Sequence, residues 1–515
     1  MTAWLWAFYF AVKLFLHARG VLRIHFLWNL GLFALVMPLS PRPKPLRQPW
    51  RTLRAAAALG LAFALFWYDS YLPPLLYSLE FAVQNPDVLS SGFVSQFLAG
   101  FAGHLGLLAG TAVVLALFLY AGRRGLHASP LVLIALLYVP VQALREPRDA
   151  VAAAVQKFYE AEKPRRVRLP APAGAPFDVI LIHICSLSWD DLAAAEVPKP
   201  RLLEESSYVF TGFNSATSYS TPAALRLLRS PCGQVAHAEL YDPWPADCNL
   251  LEQLRAAGFK TYAALNYDPS YFEMAPDLRR LAGLDAPLSV VGLPTKLLNF
   301  DNHPILDSGD VVERWWGERV KSAEPRAALF FNTVILHGGA HEDKPEWWKD
   351  PTLPLYVKSL DELGAEVDRL AAEIETSSRS AVVLIVPEHG RAIRGSSVQA
   401  SGLRDIPLPA ITSVPAAVRF VGPLFAGAPR GRRSAKPVSY LALAQLLADV
   451  FKDPGVSVDA ARLDKDVADL PETGFLSETE KWKVSRFQGA YYIYGNDKTW
   501  RPLPTDAAPE IAEAK

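Results

Sequence analysis

Cysteine is scarce in this chain, and net charge is absent. Three cysteines occur in 515 residues, so at most one internal disulfide can form and one thiol is left over. Lys plus Arg and Asp plus Glu number 52 each, and that balance excludes the basic surface of a nucleic-acid-binding protein. No internal repeat is present. No signal-peptide cleavage pattern follows the apolar N-terminus, which is therefore expected to stay on as an anchor. The length excludes one compact domain and implies two or three.

What is present divides sharply. The first 145 or so residues are rich in Leu, Ala, Phe, Val and Trp, and the remainder has ordinary soluble composition. Five apolar stretches, at 3–16, 21–39, 53–67, 101–120 and 131–144, approach spanning length. The first, third and fifth are short enough that a buried or interfacial helix competes. The loop from Arg42 to Arg51 is strongly basic and Arg123-Arg124 marks another basic loop, whereas residues 69–96 carry three acids and no Lys or Arg. The positive-inside rule then puts the N-terminus inside and everything after Glu146 outside, with Arg19 and Arg23 as a mild conflict. Cys232 and Cys248 lie in a loop-rich part of this exported segment and are expected to pair, leaving Cys185 free; three buried, unpaired thiols is the competing reading.

The expected domains are a membrane segment at 1–146, a helix and Pro-rich linker at 147–176, and a catalytic domain at 177–515. The helix over 147–163 is amphipathic, with Val151, Val155, Phe158 and Tyr159 on one face. Beyond the linker, strands are expected at 179–184, 261–265, 327–336, 382–386 and 416–421. Helices are expected from 222, at 249–257, 360–374 and 440–450. This alternation implies an α/β domain with a mainly parallel sheet and helices on both faces. Residues 490–500 read as a hairpin with Gly495-Asn496 at the turn.

Functional groups gather where that sheet's strands end. Cys185 closes a buried strand, a position beyond which open α/β sheets bind their ligands, and a thiol there is a nucleophile or a soft metal ligand. Glu388-His389-Gly390 closes another, so two strands deliver metal-type ligands to one edge, which points to zinc. His337 follows a third, as a capped loop histidine or a phosphate contact. Ser220 precedes Thr221-Pro222 and an apolar run. It therefore starts a helix, where free N–H groups and the dipole favour a phosphoryl group. On helix grammar alone Ser218 or Ser220 is only an N-cap. His183 reads as a satisfied core residue, and an N-cap is the plain role for Asp190 or Asp191. Arg404 is a phosphate clamp or the partner of an acid such as Asp405.

These motifs, Cys-Ser-Leu-Ser-Trp-Asp-Asp at 185–191, Asn-Ser-Ala-Thr-Ser-Tyr-Ser-x-Pro from 214, Pro-Glu-His-Gly at 387–390 and Ser-Gly-Leu-Arg-Asp-Ile-Pro at 401–407, together with the helical N-terminus, resemble one family. It is the cellulose phosphoethanolamine transferases, the G subunits of bacterial cellulose-synthesis systems, within the alkaline phosphatase-like superfamily. The resemblance implies a multi-pass inner-membrane protein with a periplasmic alkaline phosphatase-like domain. It implies Ser220 as nucleophile, Zn2+ held by Cys185, Ser220, Glu388 and His389, and a substrate site lined by Tyr219, His337 and Arg404. Phosphatidylethanolamine would be the donor, cellulose the acceptor, and cellulose synthase subunits the partners. Cys185 stands where lipid-type transferases of this kind have a carboxylate, which favours the cellulose branch over transfer to lipid A or another envelope glycan. A sulfatase is disfavoured because Ser220-Thr221-Pro222-Ala223-Ala224 lacks that family's arginine. A scaffold subunit with an inactive domain is disfavoured by the joint presence of Cys185, Ser220, Glu388 and His389.

Overall fold

A computed structural model describes residues 2–18, 22–36, 48–70, 129–143, 148–270, 274–344, 352–495 and 498–507, with Leu76, Val83, Val113 and Tyr120. The chain forms two compact units. One comprises residues 1–148, 395–401 and 501–507, and the other takes up most of the remainder.

In the first unit, helices Thr2–Ala18, Phe26–Val36, Gln48–Asp69 and Ser129–Ala143 bury Phe10, Leu32, Phe33, Ala62 and Leu136 against one another. No helix among the described residues is long and apolar enough to cross a membrane. The stretch at 101–120 lies, apart from Val113 and Tyr120, outside the described residues. Three helices meet at a buried polar knot. The fully buried Asp69 carboxylate takes the Lys13 ammonium, Asn29 Nδ2 at 2.7 Å and His25 Nδ1 at 2.6 Å. Buried charge is tolerated only when paired and hydrogen-bonded in this way. Arg23, in conflict with the expected topology, has a structural task here: its Nη2 donates to the Ser70 carbonyl at 2.8 Å and its backbone N–H to that of Asp69 at 2.7 Å.

The second unit is built on a seven-stranded mixed sheet. Its strands are β1 (Asp178–Ile184), β2 (Tyr208–Phe210), β3 (Lys260–Leu265), β6 (Ala327–Thr333), β7 (Ala381–Pro387), β8 (Ala416–Val421) and β9 (Arg432–Ser434), in the order β3-β6-β1-β7-β8-β2-β9. A small hairpin, β4 (Thr295–Leu298) with β5 (Pro304–Leu306), lies between β3 and β6 in sequence. β3, β6, β1 and β7 are mutually parallel, and β8 runs antiparallel to β7. All seven residues of β1, β6 and β7 are buried, which explains their near-continuous apolar sequences. β6 ends at Thr333 rather than at 336, because Val334–His337 turns over the sheet edge with His337 N–H donating to the Val334 carbonyl. At the opposite end β1 is pinned by a two-pronged Arg319–Asp178 pair, with contacts of 2.8 and 2.9 Å.

The helix at Arg148–Glu162 buries Val151 and Val155 beside Phe158 and Tyr159, as its periodicity requires. The Pro/Arg-rich stretch after it is no free linker. Arg166 bridges to Cys232, Val167 N–H donates to the Pro231 carbonyl and Ala173 N–H to that of Phe451, so the stretch is strapped to the domain. The expected hairpin is present, with Ala490–Tyr494 paired to Trp500–Pro502, although Asn496 and Asp497 at its turn lie outside the described residues. A tighter turn joins Lys483–Phe487 to Ala490–Tyr494 through Gln488 and Gly489, both at positive φ as a two-residue hairpin loop demands.

Cys232 and Cys248 form a disulfide across a sequence separation of 16. It ties the end of helix Ser220–Leu228 to the turn before helix Leu250–Ala256. Replacing both with serine is expected to lower the unfolding free energy by about 3 kcal/mol, the chain-entropy value for such a loop. An unchanged denaturant midpoint for this unit would refute that.

Candidate active site

Two parallel strands carry their hydrogen bonding past their own ends. β1 pairs with β7 up to Ile184 opposite Pro387. Beyond it Glu388 N–H donates to the Ile184 carbonyl at 2.8 Å and Leu187 N–H to the His389 carbonyl at 2.8 Å. Cys185 is thereby held beside Glu388 and His389. Ser186 follows with φ of 69°, an uncommon conformation for a residue with a side chain, kept by burial and by Tyr356 Oη donating to its carbonyl at 3.2 Å.

The loop after His389 is held from β1's side. Ser188 caps helix Trp189–Ala194 in a reciprocal capping box with Asp191, so Asp191 occupies the third helical position and not the cap. Its buried carboxylate also accepts the backbone N–H of Arg391 at 2.6 Å and of Ile393 at 3.2 Å. Burial raises the Asp191 carboxyl to about 6 despite those bonds. Gly390 lies against this box with no room for a side chain: a Cβ would stand 2.5 Å from Ser188 Oγ.

Ser220 is the first residue of helix Ser220–Leu228, whose N-cap is Tyr219 without a side-chain cap bond. Neither serine caps it. Ser218 Oγ donates to the Arg404 carbonyl, and Ser220 Oγ turns inward, 3.7 Å from Cys185 Sγ and 3.4 Å from His389 Nε2. Ser220 is partly open, whereas Cys185, Glu388 and His389 are fully buried. Cys185 Sγ stands 3.9 Å from His389 Nε2, which is 3.6 Å from Glu388 Oε2. His389 Nδ1–H donates to the Gly390 carbonyl at 2.9 Å, so the Nε2 lone pair faces the group.

Burial and neighbouring charges set the ionisation of this group. Burial, and then the Glu388 carboxylate, push the Cys185 thiol up to about 12, which disfavours it as a nucleophile of its own. Burial and the Arg404 guanidinium hold His389 at about 3, a neutral ring. Burial pushes the Glu388 carboxyl upward, but His183 and His389 outweigh it and hold the group at about 2. Glu388 Oε2 is buried and makes no hydrogen bond. The ligand atoms of Cys185, Glu388 and His389 lie within 4.8 Å of one another. Ligands at about 2.0–2.3 Å from a tetrahedral zinc stand roughly 3.3–3.8 Å apart, so the observed separations suit such an ion.

The other expected residues surround this group. Arg404 lays Nη1 over the His389 ring, 3.2 Å from Nδ1 and 3.3 Å from Nε2, and Nη2 lies 3.4 Å from His337 Nε2. It forms no ion pair among the described residues, with Asp405 or any other acid, so its charge stays available to an anion. His337 Nδ1–H donates to Asn299 Oδ1 at 2.8 Å and its ring stacks on Phe300. Burial, Arg404 and His389 hold His337 well below its ordinary value, leaving a neutral ring. Tyr219 is exposed, with Oη donating to Asp405 at 2.9 Å.

Sequence reading missed the support behind Glu388. His183 Nδ1 lies 3.2 Å from Glu388 Oε1, and Asn332 Nδ2 donates to that same oxygen. The available signal was a polar residue interrupting the apolar run of β6.

Models of the N-terminal and C-terminal domains of the cellulose biosynthesis protein BcsG match residues 6–141 and 140–500. The cellulose biosynthesis proteins BcsG of Salmonella typhimurium and Escherichia coli are each 32% identical to this chain, over 97% of it and 96% of their own length. Among solved structures, the zinc complex of the C-terminal periplasmic domain of EptC from Escherichia coli is 12% identical, with a TM-score of 0.43 over 67% of this chain and 99% of that one. A protein in the alkaline phosphatase superfamily from Vibrio parahaemolyticus is also 12% identical, with a TM-score of 0.45 over 66% of this chain and 86% of that one. The chain belongs to the BcsG family.

Gly390→Ala is expected to cost about 1–3 kcal/mol, because the added methyl must displace the Ser188–Asp191 box. A denaturant midpoint equal to that of the parent chain would count against it.

Proposed function

We propose that this BcsG family member is a zinc-dependent phosphoethanolamine transferase of a cellulose-synthesis system, with an alkaline phosphatase-like catalytic domain. The observation that carries the reading is the convergence of Cys185 Sγ, Ser220 Oγ, His389 Nε2 and Glu388 Oε2, at successive separations of 3.7, 3.4 and 3.6 Å, around the start of a helix. Cys185, Glu388 and His389 would hold zinc with Ser220, and the ion supplies acidity to the serine hydroxyl and positive charge against the phosphoryl group.

Ser220 Oγ attacks the phosphorus of phosphatidylethanolamine, and the bond from phosphorus to the glycerol oxygen breaks. Diacylglycerol leaves with the proton that Ser220 gave up, and phosphoethanolamine remains as a serine ester. A glucose hydroxyl of cellulose then attacks the same phosphorus, the Ser220 ester bond breaks, and the proton of that hydroxyl returns to Ser220. Arg404 meets the phosphoryl oxygens, supported by the helix N-terminus at Ser220. The neutral His337, fixed by Asn299, and the exposed Tyr219 line the approach. Cys185 is a ligand and not the nucleophile, because it is fully buried while Ser220 is open.

A lipid donor makes a membrane anchor an advantage. The N-terminal unit is the anchor, about five helices over residues 1–146 with the N-terminus cytoplasmic, and the catalytic domain over 177–515 is periplasmic. What supports this is the apolar outward surface of the N-terminal helices, where Leu27, Trp28, Leu59, Phe63 and Ile134 are each more than half exposed. Cellulose synthase subunits are the partners, as membership of a cellulose biosynthesis family suggests.

The decisive experiment incubates the full chain in detergent with phosphatidylethanolamine and cellulose oligosaccharide, with lipid A as the competing acceptor, and follows mass increments. Ser220→Ala is expected to lose the protein-bound phosphoethanolamine and at least about 10³-fold of the transfer rate. Transfer at the parent rate in that variant would exclude Ser220 as nucleophile. Cys185→Ala is expected to weaken zinc binding more than about 100-fold, beyond the 10–100-fold typical of changes behind a ligand. Cys185→Asp retains more, because a carboxylate also binds zinc. Full zinc content in Cys185→Ala would remove the thiol from the ligand set.

A further inference from the structure

Asn332 is the penultimate residue of β6, paired in register with His183 of β1, and is fully buried. A buried side-chain amide is costly unless its donors and acceptor are used. Here they are. Asn332 Oδ1 accepts from Tyr267 Oη at 2.6 Å, and Nδ2 donates to Glu388 Oε1 and lies 3.0 Å from His183 Nδ1 and 3.2 Å from the His183 carbonyl. The amide has one sensible orientation, since the reverse would set its oxygen against a carboxylate oxygen. Tyr267 follows β3, Asn332 lies on β6, His183 on β1 and Glu388 follows β7, so four neighbouring parallel strands build one chain of contacts.

The two contacts of this chain that reach Glu388 fall on one of its oxygens. Oε1 has Asn332 and His183, while Oε2 has no hydrogen bond and stands 3.6 Å from His389 Nε2. We infer that Asn332, held by Tyr267, is a positioning residue that reserves Oε1 and so makes Glu388 a one-oxygen ligand through Oε2. The inference rests on the zinc site proposed above and names what keeps it four-coordinate. A carboxylate released from Asn332 swings, or closes on the ion with both oxygens and raises the coordination number. The first change weakens binding, and the second fills the place a phosphoryl oxygen needs.

The test uses the full chain in detergent loaded with zinc or, as a spectroscopic probe, with cobalt(II), whose visible absorption is strong in four-coordinate sites and weakens as coordination rises. Asn332→Leu is expected to raise the zinc Kd about 10–100-fold and to lower the visible cobalt absorption per bound ion. Tyr267→Phe, which removes one buried oxygen and keeps the ring, guards against a misfolded Asn332→Leu. It is expected to raise the Kd about 3- to 10-fold, the worth of one neutral hydrogen bond, with a smaller spectral change in the same direction. Parent-like Kd and parent-like spectra in both variants would overturn the positioning role while leaving the zinc site standing. A parent chain that binds cobalt without a thiolate charge-transfer band would instead overturn the Cys185 site, and this inference with it.

Discussion

Two backbone hydrogen bonds beyond the ends of β1 and β7 carry the chemistry of this domain. Glu388 N–H to the Ile184 carbonyl and Leu187 N–H to the His389 carbonyl keep two chains in step after both strands have ended. A shift of one residue would send every side chain to the opposite face, and Cys185 would no longer meet Glu388 and His389. Ser186 therefore adopts a positive φ, Gly390 has no side chain, and Asp191 ties down the chain that leaves His389.

That geometry produces a division between buried ligands and an open nucleophile. The thiol, the imidazole lone pair and one carboxylate oxygen are sealed together with too few partners among themselves. Such a set is of the kind that could hold a cation. Ser220 reaches the same point from a helix N-terminus and stays partly accessible, while Arg404 lies over the neighbouring His389 ring with no ion pair among the described residues. The arrangement favours a tetrahedral anionic group at Ser220, and the proposed transfer of phosphoethanolamine uses both the charge and the opening.

The N-terminal unit obeys the same rule in an apolar setting. Among its described residues, a knot of charge, Asp69 with Lys13, His25 and Asn29, is internally paired and joins three helices. Its outward residues are large and apolar.

Much of this was legible in the order of residues. The apolar runs at 179–184, 382–386 and 416–421 named three strands of the sheet, because strands buried on both faces leave little choice of residue type. Ser220 before Thr221-Pro222 named a helix start, and the three cysteines named their own pair. Other features depended on distant partners. The direction of β8 and the early end of β6 are set by packing, and the stretch after Lys163 reads as a linker until Val167 and Ala173 find Pro231 and Phe451. His183 read as a core residue, yet its value lies in Glu388, more than two hundred residues away, and Asn332 gave only the hint of a polar residue in an apolar strand. Periodicity and residue chemistry thus determined the elements and the reactive groups by themselves. Which oxygen of Glu388 is occupied, which serine turns inward and which arginine keeps its charge were decided only by the tertiary structure, since each depends on hydrogen bonds between strands that the chain brings together only on folding.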